Sequence, residues 1–154
     1  MADGLRPIAK NFFAIREVCM SDVECSFCQI LEGRLEAQIV YQDERTLAFV
    51  DTSPVQTGHA LVIPRVCQPD FYKLAEADYQ ATMHTARKVA QVLQTLPNPR
   101  KVGAAIQGFE TPHTHVHLIP MNTPDDLCAK PQPEKTQAEL APIAERLRSA
   151  LQGG

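Results

Sequence analysis

The stretch HTHVHLIP, residues 113–120, constrains the fold of this chain more than any other. Three of the five histidines in the sequence stand there on alternate residues, and two is the side-chain period of a β-strand. As a strand, the stretch puts His113, His115 and His117 on one face and Thr114, Val116 and Leu118 on the other. Such a strand has to border the interior, with core on one side and a polar site on the other. One histidine in that position is ordinarily a half-buried polar residue, but three in strict alternation argue for chemistry.

Periodicity elsewhere supplies the neighbours of that strand. CSFCQILEGRL, from residue 25, reads as a short helix with Phe27, Ile30 and Leu31 on one side and Gly33 near its end. AQIVYQ and TLAFVD are β-rich runs around a polar DER turn, which predicts a hairpin, and HALVIPR is a third strand stopped by Pro64. From about Leu74 to Leu96, Tyr79, Met83, Ala86, Val89, Ala90, Leu93 and Leu96 recur at helical spacing and mark one long helix that PNP ends. KVGAAIQ and THVHLIP complete a sheet of about five strands, mostly antiparallel, with the long helix on one face. The class is therefore α+β, with short terminal helices. MNTPDDLCAKPQP reads as a loop. A last helix from about Thr136 to Leu151 opens on Thr136-x-x-Glu139, a capping-box pattern, and turns Leu140, Ile143, Leu147 and Leu151 inward, although Pro142 complicates its start.

Composition narrows the function. With 154 residues and 44% apolar content, the chain has material for one domain with a real core. Its apolar runs fall far short of the roughly 20 residues that span a bilayer, so no membrane partner is expected. A net charge of −3, with no basic run, gives no general attraction for nucleic acid, and any anion must be held by local groups. Residues 1–24 mix charges of both signs and lack the apolar core of a secretory signal, and they read as the N-terminal extension of a cytoplasmic protein, with a first helix. The cysteines, Cys19, Cys25, Cys28, Cys67 and Cys128, are odd in number, which favours reduced thiols or metal ligation over a disulfide framework.

Two readings of the histidine row follow from spacing alone. Imidazoles two apart on a strand are about 6.5–7 Å apart and can lean toward one zinc ion, but His113 and His117 would be roughly 13 Å apart, too far for all three to share it without a bend. Alternatively the row is a line of donors and a nucleophile laid along an anionic group such as a phosphate.

The motif and its companions resemble the histidine triad family of nucleotide hydrolases and transferases. HTHVHLIP matches the family's His-x-His-x-His signature, and CSFCQILEGRLEAQIVYQDERTLAFVDTSPVQTGHALVIPR resembles its N-terminal half, in the right order, so that the similarity covers about residues 25–130. The remaining residues, 131–154, are expected to form a C-terminal loop and helix packed on that domain. The resemblance implies that His115 is the nucleophile on the α-phosphorus of a nucleoside phosphoramidate or dinucleoside polyphosphate, forming a covalent nucleotidyl-histidine that water then cleaves, with its other ring nitrogen donating to a backbone carbonyl that fixes the tautomer. It further implies that His117 and His59, the latter in GHALVIP, donate to phosphate oxygens, and that Asp51 in VDTSP binds the ribose of a purine nucleotide. Asp51 is also a natural turn residue. Phe27, Ile30, Phe49 and Leu61 match the family's apolar base pocket and serve equally well as core.

A zinc-bearing branch of the family uses a Cys-x-x-Cys pair, a histidine eight residues after the GH histidine, which Cys67 replaces in this chain as another good zinc ligand, and the first histidine of the triad. Here those positions are Cys25, Cys28, Cys67 and His113, a closed structural zinc site, with no organic cofactor implied. The family also implies a homodimer joined through its sheets, with Met83, Val89 and Leu93 of the long helix beside the join. The chain departs from the family pattern at Phe109, Glu110, Val102 and Thr114, which leaves the leaving-group contacts open. Glu110 is expected to orient a histidine or to lie outside the site. His84 reads as solvent-facing, and Cys19 and Cys128 carry no assigned role. Two other classes fit the same residues: a nucleotide-binding sensor with negligible turnover, and a hydrolase with a catalytic zinc.

Overall fold

Asp43 closes the first hairpin. Its Oδ1 accepts from the amides of Arg45 and Thr46, at 2.9 and 2.8 Å, and its Oδ2 accepts from the Tyr41 hydroxyl at 3.0 Å. An aspartate that satisfies turn amides in this way fixes the chain reversal that DER promised. The computed structural model describes residues 25–96 and 98–153, so the extension 1–24, with Cys19, lies outside the described residues. Its elements, in chain order, are α1 (Ser26–Leu31), β1 (Ile39–Gln42), β2 (Thr46–Val50), β3 (Ala60–Pro64), α2 (Glu76–Thr95), β4 (Lys101–Ala105), β5 (Val116–Met121) and α3 (Gln137–Gln152). Single turns of tighter helix occur at Phe71–Lys73 and Pro124–Cys128.

The five strands form one sheet in the order β1-β2-β3-β5-β4, and every pairing is antiparallel. Every residue of β2 and β3 is buried, because both faces of the sheet centre are covered. On one face Ala48, Val50, Ala60, Val62, Val116 and Leu118 meet Ala86, Val89 and Leu93 of α2 and Leu140, Ala144 and Leu147 of α3. On the other face Leu47, Phe49, Leu61 and Ile63 meet Cys25, Phe27 and Ile30 of the α1 segment and Cys67. The registers Phe49↔Leu61 and Leu61↔His117 place these three side chains in a row on that second face.

Three details differ from the sequence reading. The strand carrying the histidines begins only at Val116, so His113, Thr114 and His115 precede it in an irregular segment. Thr114 anchors that segment, its amide and its hydroxyl both donating to the Gln68 carbonyl at 2.7 Å. On α2, Tyr79 and Met83 are exposed, while Thr82 and Thr85 are buried. The threonines satisfy their hydroxyls internally, Thr82 on the Asp78 carbonyl and Thr85 against Thr46, so their burial leaves no polar group unmet. Part of the expected MNTPDDLCAKPQP loop is helical, because the Asp126 carboxylate accepts from the Asn122 and Thr123 amides at 2.7 and 3.0 Å.

The helix α3 starts where Thr136-x-x-Glu139 placed it, with Thr136 Oγ1 accepting from the Glu139 amide and Glu139 Oε2 accepting from the Thr136 amide. Pro142 sits within it. The segment before α3 runs along the loop that follows β2, with the Gln132 and Lys135 amides donating to the Pro54 and Thr52 carbonyls. Arg148 of α3 donates to the Ile39 carbonyl at 3.0 and 2.8 Å and so covers the β1 edge of the sheet. Among the described residues no helix is long and apolar enough to cross a membrane.

Candidate functional site

The irregular segment before β5 divides the histidine row between two sites. His113 is fully buried and turns toward α1, where its Nδ1 lies 3.5 Å from Cys25 Sγ and 3.6 Å from Cys28 Sγ. Its Nε2 lies 2.8 Å from the Pro64 carbonyl oxygen, and a carbonyl only accepts, so Nε2 carries the proton and Nδ1 presents a lone pair to the sulfurs. Tetrahedral zinc with ordinary Zn–S and Zn–N bonds has S···N edges of about 3.5–3.6 Å, which these separations match. The ligand atoms of Cys25, Cys28, Cys67 and His113 all lie within 4.8 Å of one another. The hydrogen bond from Cys28 holds the Cys25 thiol well below the usual thiol range, so the pair gives up its first proton readily. Cys67 is placed in a disulfide, in contrast to the reduced thiol expected from sequence, and its part in any metal site requires reduction to the thiolate.

His115 and His117 form the other site. His115 Nδ1 donates to the His113 carbonyl oxygen at 2.7 Å, which leaves its Nε2 deprotonated in the neutral ring. The Phe27 ring stands edge-on to His115 at 5.0 Å, and the His115 and His117 rings meet at 4.8 Å. His59 enters from the start of β3, after a turn in which Gly58 has a φ of 94°, a conformation that glycine adopts without a side-chain clash. The Val55 amide donates to His59 Nδ1 at 3.2 Å, and His59 Nε2 lies 3.0 Å from His117 Nδ1. Asp51 does two things: Oδ1 accepts from the Ser53 amide at 2.8 Å, as a turn residue should, and Oδ2 reaches to 3.5 Å from His59 Nε2.

Burial pushes the pKa of all three rings down. For His59 the Asp51 carboxylate partly offsets it, for His115 the hydrogen bond to the His113 carbonyl does, and for His117 the neighbouring histidines add to it and bring the value to about 4. Near neutral pH the site therefore offers uncharged imidazoles: one nitrogen lone pair and N–H donors of fixed direction. Asp51, His59 and His117 also lie close enough to share a cation, but the Val55 amide requires a lone pair on His59 Nδ1. The proton of that ring then occupies Nε2, the atom a metal would need.

Phe27, Ile30, Phe49 and Leu61 belong to one buried cluster that reaches the row through Phe27. Phe27 and Phe49 are paired edge to face at 5.4 Å. Glu110 and Phe109 are exposed, and Val102 lies in β4 opposite Pro120, away from the row. His84 is exposed on α2 and Cys128 is exposed after β5. The groups that sequence did not single out are main-chain ones: the Val55 amide and the Pro64 and His113 carbonyls.

Residues 32–123 match the model of the HIT domain. The chain belongs to the HIT family. An uncharacterised HIT-like protein of Methanocaldococcus jannaschii is 33% identical over 62% of this chain and 78% of its own length. An asymmetrical bis(5'-nucleosyl)-tetraphosphatase of Schizosaccharomyces pombe is 32% identical over 58% of this chain and 52% of that protein, and an Arabidopsis thaliana adenylylsulfatase is 25% identical over 83% and 68%. A zinc-bound histidine triad family protein from Mycobacterium smegmatis shares the fold, with a TM-score of 0.72 at 24% identity over 84% of this chain and 94% of that one. The HIT family thus includes hydrolases of nucleotide substrates, and its fold is the one seen here.

Proposed function

We propose that the protein is a nucleotide hydrolase or transferase that cleaves at the α-phosphate of a purine nucleotide conjugate through a nucleotidyl-histidine. One observation carries this reading. The His113 carbonyl accepts a hydrogen bond from the Nδ1–H of His115, which leaves Nε2 as a deprotonated nucleophile whose ring direction is fixed. In the first step Nε2 bonds to the α-phosphorus and the bond to the leaving group breaks, the leaving group departing with the electron pair. In the second step water attacks phosphorus, the P–N bond breaks with its electron pair returning to Nε2, and the proton that water gives up to solvent balances the one the leaving group took from solvent in the first step. The Nε2–H of His117 stabilises charge on the phosphate oxygens. Asp51 Oδ2, on the same surface, is an acceptor for ribose hydroxyls, and Phe27, Ile30, Phe49 and Leu61 supply an apolar wall for the base.

The tetraphosphatase and adenylylsulfatase relatives support the reaction class and differ in leaving group, so both a nucleoside phosphoramidate and a dinucleoside polyphosphate should be assayed. Turnover of either by the wild type, lost in His115→Ala with nucleotide binding retained, is the expected result. Tight binding with no product from any conjugate would instead favour a sensor.

The structural zinc assignment belongs to the same proposal, with Cys25, Cys28, reduced Cys67 and His113 as ligands and no part in the chemical step. So does a homodimer. Arg148 covers the β1 edge, whereas among the described residues β4 pairs only with β5, which makes β4 the edge for pairing a second copy. Val89 and Leu93 are consumed by the core, so the helix surface beside such a join is Tyr79 and Met83. Light scattering is expected to give twice the 17.1 kDa of one chain, and a monomer at micromolar concentration would count against the join.

A further inference from the structure

The hydrogen bonds around His59 point away from the phosphate. Both ring nitrogens are within hydrogen-bond reach of protein groups, Nδ1 at 3.2 Å from the Val55 amide nitrogen and Nε2 at 3.0 Å from His117 Nδ1. A main-chain N–H can only donate, so His59 Nδ1 is the acceptor and the proton of the neutral ring is on Nε2. That proton points at His117 Nδ1, which must then be the acceptor, and the proton of His117 is forced onto its Nε2. Asp51 Oδ2, 3.5 Å from the same His59 nitrogen, demands the same tautomer, because a carboxylate also only accepts. The polarity of the whole chain, Val55 N–H to His59 to His117, is thus set by one amide.

We propose, building on the α-phosphate reading of the site, that His59 is a positioning residue: it converts the fixed direction of the Val55 amide into a fixed Nε2–H donor on His117 and makes no contact with the phosphate itself. His59 is 3% exposed and Val55 is held in the turn after Asp51, so the relay is built into the scaffold that also presents the ribose acceptor. Chains of this kind strengthen the terminal donor, because each hydrogen bond polarises the next. In the absence of His59, the neutral His117 ring is free to place its proton on Nδ1, and a ring in that tautomer offers the phosphate a lone pair in place of a donor.

Two measurements on the full chain test this. The first needs no turnover: nitrogen-15 correlation spectra of the histidine rings near neutral pH should show His117 protonated on Nε2 in the wild type and a mixture of tautomers in His59→Ala. His59→Gln should restore the wild-type pattern, because its side-chain amide supplies both an acceptor for Val55 and a donor for His117. The second is a double-mutant cycle on kcat with a nucleoside phosphoramidate. His59→Ala should cost roughly 10–100-fold, the usual loss for a partner that orients a functional histidine, and should cost nothing further in a His117→Ala background. Losses that multiply in the double variant would mean that His59 meets the phosphate independently and would overturn the proposal, as would a His117 tautomer indifferent to His59. If no substrate turns over, the α-phosphate reading fails while the spectra still decide the relay. Thermal melts of each variant identify one that merely fails to fold, and His59→Gln then carries the test.

Discussion

Truncating Phe27 should expose how tightly the site and the core are joined. The side chain is 9% exposed and packs edge-on against Phe49 at 5.4 Å, His115 at 5.0 Å and His113 at 6.0 Å. An aromatic ring buries roughly 150–250 Å², worth about 4–6 kcal/mol at about 25 cal/mol per Å², and Phe→Ala changes in cores cost about 3–5 kcal/mol. The short helix around it offers little freedom to collapse into the space, because Cys25 caps its start and Ile30 lies in the same cluster. Thermal unfolding of Phe27→Ala under reducing conditions should therefore drop by roughly 6–20 °C, at about 2–4 °C per kcal/mol for a chain of this size. Leu93→Ala, in the core on the opposite face of the sheet, gives a comparable loss of packing away from the histidines. Phe27→Ala alone should also raise KM and lower kcat, since it removes both a wall of the base pocket and the edge that holds the His115 ring. A melting shift below about 3 °C would refute the packing account, and equal kinetics in the two variants would refute a role in the site.

Protein purified under reducing conditions without chelator is expected to hold about one zinc per chain by elemental analysis, and Cys25→Ser should lower thermal stability more than specific activity; metal-free protein would sink the assignment. Acid should destabilise the fold in two stages. His117 has a folded pKa near 4 against an ordinary value of 6.5, so between those values the unfolded chain binds a proton that the folded one refuses, and stability falls as pH falls through that window and levels off below it. Asp43 has its pKa lowered chiefly by turn hydrogen bonds that outweigh its burial, so its contribution is present above about pH 4 and is lost at lower pH. Denaturant midpoints from pH 3 to pH 8 check both, and a flat profile in the wild type would contradict them. Removing the Thr136 cap with Thr136→Ala should cost about 1 kcal/mol by the same denaturant assay.

Side-chain identities made most of this architecture legible in advance. The hairpin, the third strand, the long helix and the capping box all follow from patterns in which one residue type has one physical use. Alternation misled in one respect. A period of two was read as a regular strand through all three histidines, but the pairing starts at Val116 with β3 and at His117 with β4, and the hydrogen bonds of Thr114 to Gln68 belong to a segment that leaves the sheet. That departure is what lets His113 reach the cysteines. On α2 the hydrophobic spacing selected Tyr79 and Met83, whereas the buried positions include Thr82 and Thr85, whose hydroxyls find partners that no pattern in the sequence displays. The row of imidazoles was visible from sequence. The tautomer of His115 followed from its expected role as nucleophile, but which carbonyl fixes it did not, and neither did the tautomers of His59, His113 and His117, because these rest on the Val55 amide and the His113 and Pro64 carbonyls. Every residue carries such groups, and only the fold decides which of them face a ring.

The covalent step at His115 is the centre of the account, and a quenched single turnover reads it directly. Enzyme in excess over a nucleoside phosphoramidate, stopped in acid-free denaturant and digested, should yield by mass spectrometry a peptide containing residues 113–120 that carries one nucleotidyl group on His115, and His115→Ala should yield neither adduct nor product. Turnover at the wild-type rate in His115→Ala, or a nucleotidyl group found on His117 or His59 in its place, would contradict the mechanism.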